Sequence, residues 1–397
     1  MSAALIDIAE ARARVLAAAR PLSPPERVPL ARALGRVLAE DVTSAEPLPP
    51  FDSSAMDGFA VVAGSAAELE VIDESRAGHP ATRALAVGEA IRISTGAQIP
   101  AGADSIVPTE RAAEGDGSVR VPATQAGAHV RRAGDDVKPG ELLLRAGATL
   151  GPAELGVLAS LGRPEVDCGV RPRVAVLVTG DELVEPGVAL GPGQIRDSNL
   201  YTMAAQAELA GAEVVTRAVV GDTPEATVAA LAAALDAADV VCVSGGVSVG
   251  PHDHVKPALL ELGVEERFWG VRLKPGKPTW FGERGPVLVF GLPGNPVSAM
   301  VTFHLFARAG LRRLAGGDPD DTRATAVLDT HVARNAERDE VLRCTLSARD
   351  DGWHVAPTKE QGSHVLTSML GAGAFALVTA GQGEIAPGDR LPVELLL

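Results

Sequence analysis

The chain has 397 residues, a length that suits about two to four domains. Hydrophobic residues make up 46% of it and charged residues 22%, which excludes a disordered chain. Its 36 Lys and Arg against 51 Asp and Glu leave a formal charge of −15, which excludes a general nucleic-acid or anionic-membrane surface, since each needs a basic field. An anionic small molecule is not excluded, provided a local cationic pocket or a metal ion meets its charge.

The first segment, residues 4–20, predicts a helix with Leu5, Ile8, Ala9, Val15 and Leu16 on one face. Its early acids, Asp7 and Glu10, are unlike a signal peptide. A second short helix is expected at Leu30 to Ala39, followed by the stiff Pro47-Leu48-Pro49-Pro50 connector. From about residue 51 to 150, short alternating segments separated by Gly, Pro and Asp predict an all-β region. Pro152 opens a further helix to about Leu161.

From 172 to about 315, strands and helices alternate. The apolar runs Val174 to Val178, Val240 to Val243 and Val287 to Phe290 predict strands buried on both faces, with Glu213 to Val220 a fourth. Helices are expected from Asp197-Ser198-Asn199 to Ala210, after Asp222-Thr223-Pro224, and at Pro296 to Leu311. That pattern is a doubly wound, mostly parallel sheet. After about residue 318 the pattern is β again, at Glu340 to Leu346, His354 to Pro357, Ala374 to Val378 and Leu391 to Leu397, and predicts a small barrel or sandwich.

Three widely spaced cysteines, Cys168, Cys242 and Cys344, form no CxxC and no disulfide framework, so a reducing cytoplasm is expected. No apolar run reaches about eighteen residues without a charge.

In parallel sheets, ligands bind at the carboxyl ends of the strands. Four loops should meet there: Thr179 to Glu182, Gly221 to Pro224, Ser244 to Gly250, and Gly291 to Pro296. The Ser244 to Gly250 loop offers backbone N–H groups free of bulky side chains, an anion cradle. It also matches GxSxG at Ser248, an esterase alternative, although Gly-Gly precedes that serine and Pro251-His252-Asp253 follows. His252 and His254 flank Asp253, but lack a third fixed ligand for a zinc-type site. Glu182, Asp222 and Asp253 are three carboxylates on the same rim, a donor set suited to Mg²⁺, and Asp222 could instead cap its helix. Lys274-Pro275-Gly276-Lys277-Pro278 holds two cations on a proline-stiffened loop, as a phosphate or oxyanion ligand requires.

These residues occur in order with Ser54 to Ala60, Ser94 to Ala97 with Pro100 to Asp104, Arg132 to Asp136, Asp197 to Asn199, Gly291 to Ser298 and Gln361 to Ser363. Together, through essentially the whole chain, they resemble the molybdopterin molybdenumtransferase family, the bacterial relatives of the gephyrin E domain and of the plant molybdenum-insertion domain. The resemblance implies a multidomain α/β plus all-β chain. Its parts would be a discontinuous linker and dimerisation domain (1–50 and 131–171), an all-β domain (51–130), an α/β molybdopterin-binding domain (172–315) and a C-terminal β-barrel (316–397).

It further implies a homodimer with a shared cleft, and a reaction in which adenylylated molybdopterin and molybdate give molybdenum cofactor and AMP with Mg²⁺. Asp57, from the partner subunit, and Asp136 match acids needed for activity. Glu182, Asp222 and Asp253 match acids around the phosphates and metal. Thr179, Ser244, Gly245, Gly246, Ser248, Pro293 and Asn295 become substrate contacts, and Lys274, Lys277, Ser298, Arg343 and Ser363 resemble the molybdate pocket. Relatives commonly place an aromatic where this chain has His254. Transient contact with the molybdopterin adenylyltransferase is implied too. The alternatives are that adenylyltransferase activity itself, or a binding scaffold.

Overall fold

The computed structural model describes residues 5–247 and 253–396. Contacts divide the chain into two compact units: Met1–Glu40 with Ala146–Gly151 and Glu165–Leu397, and Asp41–Arg145 with Pro152–Pro164.

In the first unit, a six-stranded sheet runs in the order Glu213–Val220, Arg173–Thr179, Val240–Ser244, Val287–Leu292, Trp280–Arg284, Glu265–Trp269. The first four strands are parallel, and the last two are added through antiparallel pairings, so that only Trp280–Arg284 runs against the rest. The strands carry apolar side chains on both faces because both faces are covered. On one, Val174, Val176, Val178, Cys242 and Phe290 pack with the helices Ile8–Ala18, Asn199–Leu209 and the segment after Pro296. On the other, Ala175, Leu177, Val241, Val243 and Val289 pack with Pro224–Ala237 and Val255–Glu261. The alternation follows from the two-residue repeat of a strand. Each fully buried ring, such as Phe290, stabilises the fold by about 2 kcal/mol relative to exposure.

The first helix is shorter than expected. Asp7 caps it by accepting a hydrogen bond from the Glu10 N–H, so Leu5 and Ile6 lie outside. Its buried face is Ile8, Ala11, Arg12 and Val15, while Ala9 points to solvent. The expected helix at Leu30 to Ala39 is only the turn Leu30–Arg32. Gly35 takes φ +73°, and Gly35, Arg36 and Leu38 then exchange backbone bonds with Leu150 and Ala148. The helix expected at Pro296 to Leu311 continues to Leu314 and contains a π-helical stretch, Phe303–Ala307.

The C-terminal strands close into a five-stranded barrel. Asp339–Arg349 pairs with Gly352–Pro357, which pairs with Arg323–Leu328; that strand pairs with Arg390–Leu395, then Ala374–Val378, which returns to the first. Cys344, Val355, Ala376 and Val393 fill it. His354 is buried against this wall, with Nδ1 2.8 Å from Asp329 Oδ1 and Nε2 2.8 Å from Asp351 Oδ1. The Asp329 bond, then the Asp351 bond, raise the His354 pKa above its ordinary 6.5. A raised folded-state pKa contributes stability that is fully present below the unfolded value and is lost as pH rises through the folded one. The melting temperature of His354→Gln should therefore fall short of the parent's by more at pH 6 than at pH 9, as followed by circular dichroism.

All three cysteines are free and buried, and burial pushes the Cys344 thiol up to about 12. No helix among the described residues is long and apolar enough to cross a membrane.

The second unit holds an all-β sheet in the order Ser105–Pro108, Gly58–Val61, Glu89–Ile93, Ala67–Ser75, Ser118–Val121, Ala113–Gly115. Gly58 has no room for a side chain, since a Cβ there would lie 2.1 Å from the Val107 carbonyl oxygen. The helix Pro152–Ser160 belongs to this unit.

Candidate active site

The chain lays down Arg173–Thr179, moves to one side for Glu213–Val220, then crosses to the other for Val240–Ser244. The crevice between the loops that leave in opposite directions is where open α/β sheets take ligands. In register, Thr179 stands beside Val220, Val178 beside Ser244, and Ser244 beside Leu292, so the four following loops share one rim. They surround a cavity of about 700 Å³. Thr179, Glu182, Asp222, Ser244, Gly245, Gly246, Asp253, Pro293 and Asn295 all line it, as the sequence suggested. Ser248 and His252 lie outside the described residues. The strand that precedes Ser248 ends at Ser244, so it does not run directly into that serine as a nucleophile elbow would require.

The rim is held by side chain to backbone bonds. Asp181 and Asp222 exchange them: the Asp222 N–H donates to Asp181 Oδ1 at 3.0 Å, and the Asp181 N–H to Asp222 Oδ2 at 3.2 Å. Asp222 does not cap the helix that follows it; Thr223 does, accepting from the Ala226 N–H, with Pro224 in the first turn. Glu182 folds back over Gly180, where a Cβ would sit 2.6 Å from its carboxylate oxygen. Gly245 takes φ +94° and passes so close to Thr179 that a Cβ would lie 2.7 Å from both its carbonyl oxygen and its hydroxyl. The Gly245 N–H is committed to the Leu292 carbonyl at 3.2 Å, so the first amide of the expected cradle is not open to a ligand.

One wall was not foreseen. Asn199 donates through Nδ2 to Ser244 Oγ at 2.9 Å and to the Gly294 carbonyl at 2.7 Å, and Ser244 Oγ donates to the Pro293 carbonyl at 2.9 Å. Asp197 Oδ1 accepts from the Asn199 N–H at 2.9 Å and the Leu200 N–H at 3.3 Å. Burial raises the Asp197 pKa, against the pull of those two amides. Asp197, Asn199, Arg196 and His364 all line the cavity. The sequence marks Asp197 to Asn199 as a helix start and as one of the motifs of the family resemblance, and neither reveals which way the side chains face.

The residues matched to a molybdate pocket are more scattered. Lys277 is exposed and adjoins Pro278, which lines the cavity. Lys274 is ion-paired with Glu340 at 2.6 Å, a consequence of Leu273–Lys274 joining the barrel strand at that register. Ser298 is buried in the helix Pro296–Thr302. Ser363 Oγ accepts from Asn295 Nδ2 at 3.0 Å, and its carbonyl from the Val297 N–H at 3.2 Å.

Arg343 is buried and does not line the cavity. Its guanidinium donates to Ser368 Oγ and to the Glu360 and Gly362 carbonyls, each at 3.3 Å. Burial lowers its pKa. Gln361 braces the same turn through the Arg343 backbone and Thr358.

Asp57 and Asp136 belong to the second unit, and both are exposed. Asp57 Oδ1 accepts from the Thr95 N–H at 2.7 Å and from its hydroxyl at 3.1 Å. The Asp136 N–H donates to the Leu48 carbonyl at 3.0 Å. In the same unit, Asp52 accepts from the Ala133 N–H and the Arg132 guanidinium, which hold its carboxyl below the usual range.

Among the described residues, no three His, Cys, Asp or Glu side chains form a group that could hold a metal ion by themselves. The acids that line the cavity are Glu182, Asp197, Asp222 and Asp253.

Three family models match in succession: the MoeA N-terminal region (domain I and II) over residues 6–162, the probable molybdopterin binding domain over 175–313, and the MoeA C-terminal region (domain IV) over 325–396. A molybdopterin molybdenumtransferase of Haemophilus influenzae is 34% identical over 98% of both chains. The chain belongs to the molybdopterin molybdenumtransferase family. Molybdopterin molybdenumtransferase 2 of Mycobacterium tuberculosis is 38% identical over 96% of both chains. Two crystal structures of the molybdopterin biosynthesis MoeA protein from Pyrococcus horikoshii share the fold. One has TM-score 0.83 at 28% identity, covering 99% of this chain and all of that one; the other has TM-score 0.81 at 31% identity, covering 99% of each. The sequence motifs and the comparisons thus name the same family.

Proposed function

We propose that this chain inserts molybdenum into molybdopterin bound at the carboxyl ends of the parallel strands, using adenylylated molybdopterin and molybdate and releasing AMP. One observation carries the reading. Nine residues matched separately from sequence converge on a single cavity of about 700 Å³, in a chain whose relatives are named for this transfer.

The chemistry joins two anions, so cations must screen them before they approach. Lys274, Lys277, Ser298, Arg343 and Ser363 form the molybdate side. What supports this is that Lys277 adjoins the cavity lining and that Ser363 is bonded to Asn295, which lines it. Arg343 acts there by holding the turn that carries Ser363.

Mg²⁺ is the proposed cofactor. It keeps several waters and takes phosphate oxygens, so it needs only one or two protein carboxylates and no closed protein cage. The donors on the rim suit it, being hard oxygens with no cysteine among them. One or two of Glu182, Asp222 and Asp253 would hold it together with phosphate oxygens and water, and bound there it would offset phosphate charge. Thr179 and Asn295 orient the substrate. Asp57, supplied by the partner subunit of a homodimer, and Asp136 would be the further acids of the reaction. The enzyme would work in the cytoplasm, in transient contact with the molybdopterin adenylyltransferase, without nucleic acid or membrane partners.

The test supplies purified protein with adenylylated molybdopterin, Mg²⁺ and molybdate. It measures AMP release and reconstitution of an apo molybdoenzyme. Both are expected, and no AMP release would sink the reading. AMP transfer from MgATP to molybdopterin, in the absence of molybdate, would instead reveal an adenylyltransferase.

A further inference from the structure

Two polar atoms in this cavity wall lack a partner. Asp197 is 5% exposed and Asn199 8%, and neither Asp197 Oδ2 nor Asn199 Oδ1 has a hydrogen-bond partner. A buried acceptor left unmade costs about 1–3 kcal/mol, so such atoms call for a donor that arrives with a ligand or a water.

The sense of both atoms is fixed by their neighbours. Gly294 O can only accept, and Ser244 Oγ gives its proton to Pro293 O, so the Asn199 NH₂ must face those two and its oxygen must face away. Asp197 spends its other oxygen on two helix amides. The residues that line the cavity therefore hold two enclosed, unanswered acceptors. Their complement is a ligand edge carrying adjacent donors.

We propose that Asp197 and Asn199 read the pyrimidine edge of the pterin, through its ring N3–H and its 2-amino group. This inference rests on the proposed function, since it takes a pterin as the occupant. The other ring of an adenylylated substrate fits the wall less well. The amino group of adenine is flanked by ring nitrogens that accept, and two acceptors facing an acceptor repel. An edge with two donors satisfies both orphaned atoms at once, and an analogue lacking one donor leaves a buried oxygen unpaired. Asp197 is thus a specificity residue rather than a catalytic one.

The test uses 6-hydroxymethylpterin and 6-hydroxymethyllumazine, in which a carbonyl replaces the 2-amino group, together with AMP. Binding of each to the full-length protein is followed by ligand-observed NMR titration. The parent should prefer the pterin at least tenfold. Asp197→Asn keeps one oxygen for the Asn199 and Leu200 amides but sets an NH₂ where the free oxygen stood. It should lose that preference while binding AMP within twofold of the parent. Asp197→Ser, which also keeps a capping oxygen, should do the same and serves if the amide variant melts early. Equal binding of pterin and lumazine by the parent would mean that a water alone satisfies the wall, and would overturn the inference. Pterin preference retained in both variants, or AMP binding lost with it, would overturn it too. In those cases the proposed function stands if AMP release is intact. A parent that binds no pterin at all would remove both.

Discussion

Asp222→Asn should slow AMP release from adenylylated molybdopterin about a hundredfold or more, with the melting temperature within about 2 °C of the parent's. The two halves of that result have separate causes. The asparagine keeps an oxygen for the Asp181 N–H, and the backbone of residue 222 still donates to Asp181, so the rim stays joined. Thr223, not Asp222, caps the helix behind it, so that contribution survives as well. What disappears is one negative charge in the cavity lining, where the proposed function requires phosphates and a divalent ion to be balanced. Single-turnover AMP release at saturating Mg²⁺, beside a thermal melt, reads both. A rate within threefold of the parent would move the chemistry away from this loop pair.

Gly245→Ala should cost about 2–4 kcal/mol of stability and empty the site of activity together. At φ +94° an L side chain is strained wherever it has room, and here there is none. The new methyl would fall 2.7 Å from two oxygens of Thr179, on backbone held in the middle of the sheet. Relief requires Thr179 or the Ser244 turn to move, and both line the cavity. Urea unfolding gives the stability loss. If the variant is as stable as the parent, these strand ends have slack that the geometry denies them. Gly35→Ala offers a control, since it also has positive φ, +73°, but open space around it. It should cost only the conformational strain, about 1–2 kcal/mol, and leave AMP release unchanged.

How far the sequence reaches depends on the kind of force that decides each element. The central strands were legible because Val174 to Val178 and Val240 to Val243 are apolar without interruption, which only a strand covered on both faces tolerates. Leu30 to Ala39 misled because helix-favouring residues there are overruled by pairing with Leu150 and Ala148, more than a hundred residues away. The antiparallel edge, Glu265–Trp269 and Trp280–Arg284, was not read at all; its mixture of charges and aromatics has neither period cleanly. Four of the five barrel strands are legible and Arg323–Leu328 is not, while closure into a ring is a property of pairings such as Glu340 with Val378 that no local pattern carries.

The same holds in the site. Loops after parallel strands are placed by topology, so Thr179, Asp222 and Asn295 could be grouped from sequence. Lys274 could be named but its pairing with Glu340 could not, since that depends on register between two distant strands. His364 lines the cavity at the end of a turn that Arg343 holds through the Gly362 carbonyl, a tertiary fact. Asp197 and Asn199 were visible as a motif, yet their value lies in which of their atoms go unanswered.

The Arg343 clamp has a mechanical consequence. Segment 360–364 is rooted in the barrel by a buried guanidinium and reaches out to touch Asn295 at its tip, like a cantilever. Its root and its tip belong to different layers of the first unit. Melting the barrel would release the root and let the tip swing away, even while the parallel sheet stayed intact. The barrel, which contributes no residue to the strand ends, thereby becomes a condition for keeping one wall of the cavity upright.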